Sequence, residues 1–460
     1  MDVPDPKPPA SSHRRRKRAA WHKQADGAVG APTPVLEHPL VPSGDPLLVE
    51  DAAALAALGA RLAEASIVAF DTEFIGEESF RPRVCLVQVA TEREVALIDP
   101  LRLEARGEQG ALVEFLGRLA EESPTVLVHA GFHDVEAIRL AVGRDPRGVI
   151  DTQIAAAMAG LPFPASLATA LESLAGHRPA KGHTFTDWDA RPLSRTQLLY
   201  AADDVRYMPL LWSRLSEELA RRGRLEWARR ESAQKLAEAP FDPASQVRRI
   251  ARGELVGAEN RGLVRALVLE RHAIAREHDL PPRATLPDGA LAEIARHRPA
   301  SAEEFRRLKG IPGRTMKECP ERLVATIARA LASPPPYDPL GELLADRVVR
   351  EETDRAWPIL QARCVELGLA PELVLVRADF ARWLAREVAE IRGMPVRAEA
   401  PAPRESPFEP GSWRDEALGG LARELRASIR PPSLEDPPRR RRRRRRRRSK
   451  PPAEGGGATS

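Results

Sequence analysis

Ile67-Val68-Ala69-Phe70-Asp71-Thr72-Glu73-Phe74 decides how the rest of the chain is read. Four apolar residues lead directly into an acidic pair. Asp71 and Glu73 lie two apart, and on a strand that spacing puts both side chains on one face. A DxE pair standing alone is more often a solvated face. The apolar run before this one instead implies a buried strand that delivers its acids to an exposed end.

Two other segments carry acids to comparable places. Residues 125–129 read as a strand, and Asp134 falls where the following helix opens. Alone, Asp134 would be a cap or a first-turn acid favoured by the helix dipole. His129 and His133 read better as packed or hydrogen-bonded side chains than as metal ligands. In the strongly helical stretch 196–205, Tyr200 and Asp204 are four apart and share a face. Asp203 points elsewhere on that helix and is expected at the surface. Four carboxylates and a phenol gathered in one cleft would suit hard divalent cations and phosphodiester hydrolysis.

Around these segments the pattern first gives strands at 84–89 and 95–98, then strands alternating with helices. Helical spacing covers 112–119, 134–142, 167–174 and 194–219, and Asp151-Thr152 reads as a helix cap after Val149-Ile150. A mixed sheet flanked by helices is expected. Beyond about residue 225 only helices follow, with breakers at Pro281-Pro282, Pro287-Asp288-Gly289 and Gly310-Ile311-Pro312-Gly313. The expected divisions are a disordered basic segment at 1–45, the α/β unit at 46–223 and a helical linker at 224–257. Helical domains at 258–333 and 340–428 and a disordered Arg-rich tail at 429–460 complete the chain.

A length of 460 residues fits about three domains. The three scattered cysteines, Cys85, Cys319 and Cys364, argue against a zinc site or a disulfide framework. There is no signal-peptide pattern and no apolar run long enough for a membrane span, so a cytoplasmic protein is expected. The net charge of +5 hides an uneven distribution: the ten consecutive arginines at 439–448 outweigh it, leaving the remainder net acidic. Such a block suits a polyanion. A phosphate-cradling GxxxxGK[ST] loop is lacking, which argues against an ATP-driven helicase.

Asp71-Thr72-Glu73-Phe74, Cys85-Leu86-Val87-Gln88, Leu97-Ile98-Asp99-Pro100 and Ile150-Asp151-Thr152-Gln153 together resemble the DEDD family of 3′–5′ exonucleases. So do Thr186-Asp187-Trp188, Arg191-Pro192-Leu193 and 197–204. Tyr200 four before Asp204 marks the tyrosine subclass, and the likeness is greatest to its ribonuclease D branch. Asp279-Leu280-Pro281-Pro282, His297-Arg298-Pro299 and Leu308-Lys309-Gly310-Ile311 resemble an HRDC domain, and 340–428 a divergent second copy. The resemblance implies an α/β ribonuclease H-like 3′–5′ exonuclease domain followed by two all-α HRDC-type domains. It implies Asp71, Glu73, Asp134 and Asp204 as ligands of two divalent cations, Mg²⁺ or Mn²⁺, with Tyr200 catalytic. Substrate contacts are implied at Thr72, Phe74, Gln88, His129 and Lys181. The implied work is trimming of RNA, precursor tRNA included, with no membrane and no obligate protein partner. Lys181-Gly182-His183-Thr184-Phe185 lacks a Ser-Glu pair associated with that loop, and both charged tails fall outside the family pattern. The rival readings are a DNA exonuclease or repair factor and a catalytically silent RNA-binding protein. Retention of all four carboxylates and the tyrosine weighs against the silent one.

Overall fold

The computed structural model describes residues 35–431 except 77–78, 180–186, 238–240, 242, 255, 334–339, 341–342, 345 and 395–407. The arginine run, the basic segment before residue 35 and Lys181 therefore lie outside the described residues. The expected disordered stretch does not extend to residue 45. Val41 is buried, and Pro42 accepts a hydrogen bond from Arg206 through its carbonyl.

Six strands form one mixed sheet: β1 (Leu47–Val49), β2 (Val68–Ile75), β3 (Arg83–Ala90), β4 (Val95–Ile98), β5 (Val126–Val128) and β6 (Val149–Asp151). Their order is β1-β4-β3-β2-β5-β6. β3 pairs antiparallel with both β2 and β4, while the β1–β4, β2–β5 and β5–β6 pairs are parallel. The inner strands read as nearly continuous apolar runs because helices cover both faces. β1 is an edge strand whose Leu47 and Leu48 are 43% and 41% exposed, so it carries no apolar period for the sequence to reveal.

Helices Ala52–Leu62, Gln109–Glu122 and Phe132–Val142 bury Leu55, Leu58, Phe115, Leu119 and Ile138 against Phe70, Val87 and Ile98 of the sheet. Helices Thr152–Met158, Leu167–Ala175 and Met208–Arg221 cover another part. The single helix expected over 194–219 is two, Arg195–Arg206 and Met208–Arg221, divided at Tyr207. Pro209 accounts for the break: it lacks an amide hydrogen and its ring crowds the preceding turn.

Helices Arg261–Glu277, Asp288–His297, Ala302–Arg306 and Pro320–Ala332 enclose a core of their own around Leu267, Leu291, Phe305 and Leu323. This bundle touches the sheet at the β2–β3 connection. There the Asp279 carboxylate accepts from the Phe80 and Arg81 amides at 3.1 and 3.4 Å, and the Phe80 ring meets His272 edge-on. The last helices, Arg347–Glu366, Arg377–Ile391, Trp413–Leu418 and Leu421–Ser428, instead share one continuous core with the α/β unit through Leu360, Phe380, Leu384 and Trp413.

Glu231 fastens that junction. It is fully buried, and its two oxygens accept from Trp413 Nε1 and Arg414 Nη2, each at 2.6 Å. Arg414 also donates to the Val374 carbonyl and lies 4.5 Å over the Trp413 ring. Taking Arg414 away leaves this buried carboxylate with the more distant ammonium of Lys235, at 4.0 Å, as counter-charge. Arg414→Met should therefore lower unfolding stability by about 3–5 kcal/mol in urea titrations. A loss below about 1 kcal/mol, the worth of an exposed pair, would contradict this assignment.

Candidate active site

β2 carries Asp71 and Glu73 beside Gln88 and Leu86 of β3, and the register slips between Glu73 and Phe74. Bulges of this kind re-aim side chains at the ends of strands. Helix Arg195–Arg206 lies over the same face, packing Leu198 and Ala201 against Leu86 and Leu97. Its start is fixed by a capping box: Ser194 Oγ accepts from the Gln197 amide, and Gln197 Oε1 accepts from the Ser194 amide at 2.8 Å. The helix thereby brings Asp204 to the strand. Carboxylate oxygens of Asp71, Glu73 and Asp204 all lie within 4.8 Å of one another. Tyr200 sits one turn earlier on the helix, close enough for its hydroxyl and the Asp204 carboxylate to act on one another.

Asp134 stands beside this trio. It lies in the first turn of helix Phe132–Val142 and is buried, and its Oδ1 accepts from the Thr72 hydroxyl at 2.5 Å. The turn leading to it requires glycine at 131, because a Cβ there would sit 2.3 Å from Cβ of Val128. Asp134 is close enough for its charge to act on Asp71, Glu73 and Asp204.

The other expected positions divide. Strand alternation turns Thr72 away from Asp71 and Glu73, and its hydroxyl is engaged with Asp134, so the substrate contact expected of it is not supported. Gln88 is 0% exposed, so the substrate contact expected of it is not supported. His129 commits both ring nitrogens internally, to Thr152 Oγ1 at 2.9 Å and the Ala165 carbonyl at 3.1 Å, so the substrate contact expected of it is not supported. Phe74 keeps an exposed ring 5.5 Å from that of His133. Asp203 is not a surface residue: it is half-buried and pairs with Arg206 at 3.2 Å.

The sequence reading assigned no role to Trp188 or Arg191. Trp188 stacks on Tyr200, with ring centroids 6.2 Å apart and planes at 30°. Their stretch stood out, but their partners are too distant in the chain to be inferred.

Burial and mutual repulsion set the electrostatics. Burial pushes Asp71 well above the ordinary carboxylate range, and Asp134, Asp204 and Glu73 add to the effect in that order. Glu73 is pushed up to about 8 by burial and then by Asp204 and Asp134. Asp204 rises to about 7 through burial and the charge of Asp203, and Asp134 to about 6 through burial, opposed by the Thr72 hydrogen bonds. Burial and the adjacent carboxylates also raise the Tyr200 phenol, which stays protonated. An oxygen-only donor set under this repulsion is chemically matched to a hard divalent cation.

Two family comparisons agree with this geometry. The 3′-5′ exonuclease family matches residues 46–220, and the HRDC domain family matches residues 260–327. A ribonuclease D of Acidiphilium cryptum is 32% identical over 387 residues, covering 83% of this chain and 93% of the relative. A ribonuclease D of Nitrobacter hamburgensis is 31% identical over 383 residues, covering 82% and 94%. Among solved structures, Escherichia coli RNase D, described as an exoribonuclease involved in structured RNA processing, superimposes with a TM-score of 0.66. It is 25% identical, and the match covers 83% of this chain and 99% of that one. The sheet and its acidic cleft thus define a 3′–5′ exonuclease. The chain belongs to the ribonuclease D family of exoribonucleases.

The raised carboxylates bind more protons in the folded than in the unfolded chain. They therefore favour the fold at low pH, and that contribution is lost as pH rises through about 6 to 8. In EDTA, Tm should fall between pH 5 and pH 9, and Asp71→Asn should flatten the fall. Parallel Tm curves for the two proteins would contradict the repulsion described here.

Proposed function

We propose that this enzyme removes nucleotides one at a time from RNA 3′ ends, precursor tRNA included, and releases 5′-mononucleotides in the cytoplasm. Asp71, Glu73, Asp134 and Asp204 would hold two divalent cations, Mg²⁺ or Mn²⁺. The single observation that supports this reading most is the Asp71, Glu73 and Asp204 oxygen cluster lying within 4.8 Å beside Tyr200. Bound cations would neutralise phosphate charge and lower the pKa of the attacking water. The chain's own groups do the positioning. Thr72 holds Asp134 in orientation. Tyr200, kept protonated, offers a hydroxyl at Asp204 that can align a water. Phe74 and His133 present ring surface on which a base can stack.

The helical regions support an RNA-holding role. In each, a long helix is followed by a one-turn helix opened by proline and then a third helix. Arg261–Glu277, Pro282–Thr285 and Asp288–His297 are matched by Arg347–Glu366, Pro371–Val374 and Arg377–Ile391. We read 258–333 and 340–428 as two HRDC copies on that ground. Among the described residues, no helix is long and apolar enough to cross a membrane.

The test is incubation of the full chain with Mg²⁺ or Mn²⁺ on a 3′-extended tRNA precursor and on matched DNA, with products sized from each end. Shortening from the RNA 3′ end with mononucleotide release is expected. Asp71→Asn and Asp204→Asn should each lower kcat on the order of a thousandfold by removing ligand charge. Faster hydrolysis of the DNA would favour the DNA exonuclease, and RNA binding without hydrolysis the silent protein.

The arginine run should add affinity without sequence preference, through released counterions. Deleting residues 437–460 should raise KM for long RNA, flatten the salt dependence of binding and leave kcat unchanged. Equal salt slopes in the two proteins would contradict an RNA tether.

A further inference from the structure

Arg191 is the centre of a polar clamp between a short turn and the sheet. Its Nε and Nη2 donate to the two oxygens of Asp99 at 2.5 and 2.9 Å. Nη2 also donates to the Cys85 carbonyl on β3 at 2.7 Å. Nη1 donates back to the Trp188 and Ala190 carbonyls at 2.7 and 2.8 Å. The fixed fork of a guanidinium is thus fully engaged, a geometry that a lysine cannot reproduce. Asp99 is buried at the end of β4, and its Oδ1 also accepts from the Leu101 and Arg102 amides, so the clamp's anchor is itself held. On the other side of the turn, Gln197 Nε2 reaches the Asp187 carbonyl at 3.4 Å. The turn is tied both to the sheet and to the helix that carries Tyr200 and Asp204.

The side chain presented by this turn is Trp188, buried and packed among Leu86, Leu97 and Ala201. Its ring lies in offset stacking range of Tyr200. We propose that Trp188, clamped by Arg191, is a positioning residue that fixes the Tyr200 ring so that its hydroxyl stays at Asp204. The proposal rests on the reading that Tyr200 aligns the attacking water. A tyrosine in a half-open cleft can turn about χ1 and χ2, and a flat neighbour on one face removes most of that freedom. A displacement of about 1 Å at such a group costs up to a hundredfold in rate without weakening ground-state binding.

The experiment measures kcat and KM on RNA for Tyr200→Phe, Trp188→Leu, Trp188→Phe, Arg191→Lys and the double variant Trp188→Leu/Tyr200→Phe. Tyr200→Phe should lower kcat roughly a hundredfold. Trp188→Leu should lower kcat at least about tenfold with KM held, and Trp188→Phe, which keeps a stacking face, should restore most of it. Arg191→Lys keeps the charge at Asp99 but cannot reach the Cys85, Trp188 and Ala190 carbonyls together, so it should reproduce the kcat loss even if Trp188→Leu fails to fold. In the Tyr200→Phe background, Trp188→Leu should cause no further loss, because the hydroxyl it positions is gone. Multiplying losses in the double variant, or a change confined to KM, would overturn the proposal. Normal kcat in Trp188→Leu beside impaired Tyr200→Phe would overturn it alone. Normal kcat in Tyr200→Phe would overturn both this proposal and the role assigned to Tyr200.

Discussion

Repulsion among Asp71, Glu73, Asp134 and Asp204 is the constraint on which the rest of the structure depends. Burial raises all four above the ordinary carboxylate range, and neighbouring acids push Asp71, Glu73 and Asp204 further. Such a cluster persists only where the backbone around it is strongly determined by other interactions. Three elements supply that: a central strand paired on both sides, a helix fixed by a capping box, and a glycine turn that aims Asp134. The apolar packing on both faces of the sheet stabilises the fold that carries these charges.

Much of this was legible in local sequence. The period of two at Asp71 and Glu73 and the period of four at Tyr200 and Asp204 survive in the fold because each needs only its own strand or helix. What escaped were contacts between distant residues. Thr72 meets Asp134 across 62 positions and Arg191 meets Asp99 across 92, and neither pairing leaves a mark in local composition. The place of Gln88 on β3 is readable, but its complete burial depends on packing between distant segments and is not. β1 is too short and too exposed to show a period, and the break at Tyr207 depends on a proline two residues on.

The helical regions differ in how they join the catalytic unit. The bundle around Leu267 has a separate core and touches the β2–β3 connection through Asp279 and His272. That connection continues the strand bearing Asp71 and Glu73, so the bundle rests on the element that carries the acids. The last helices merge their core with that of the α/β unit and are pinned at Glu231. Helices at the C-terminal end therefore contribute to the stability of the catalytic unit itself.

The central claim is that the raised carboxylates form a cation site. Calorimetric titration of Mn²⁺ into the full chain near pH 6.5, in buffers of different ionisation enthalpy, tests it most directly, because ligands held protonated must release protons when the ion binds. Wild-type protein should bind with net proton release, and Asp71→Asn and Asp204→Asn should lose both the binding and the release. Equal affinity in the wild type and both variants, or binding with no proton release, would contradict it.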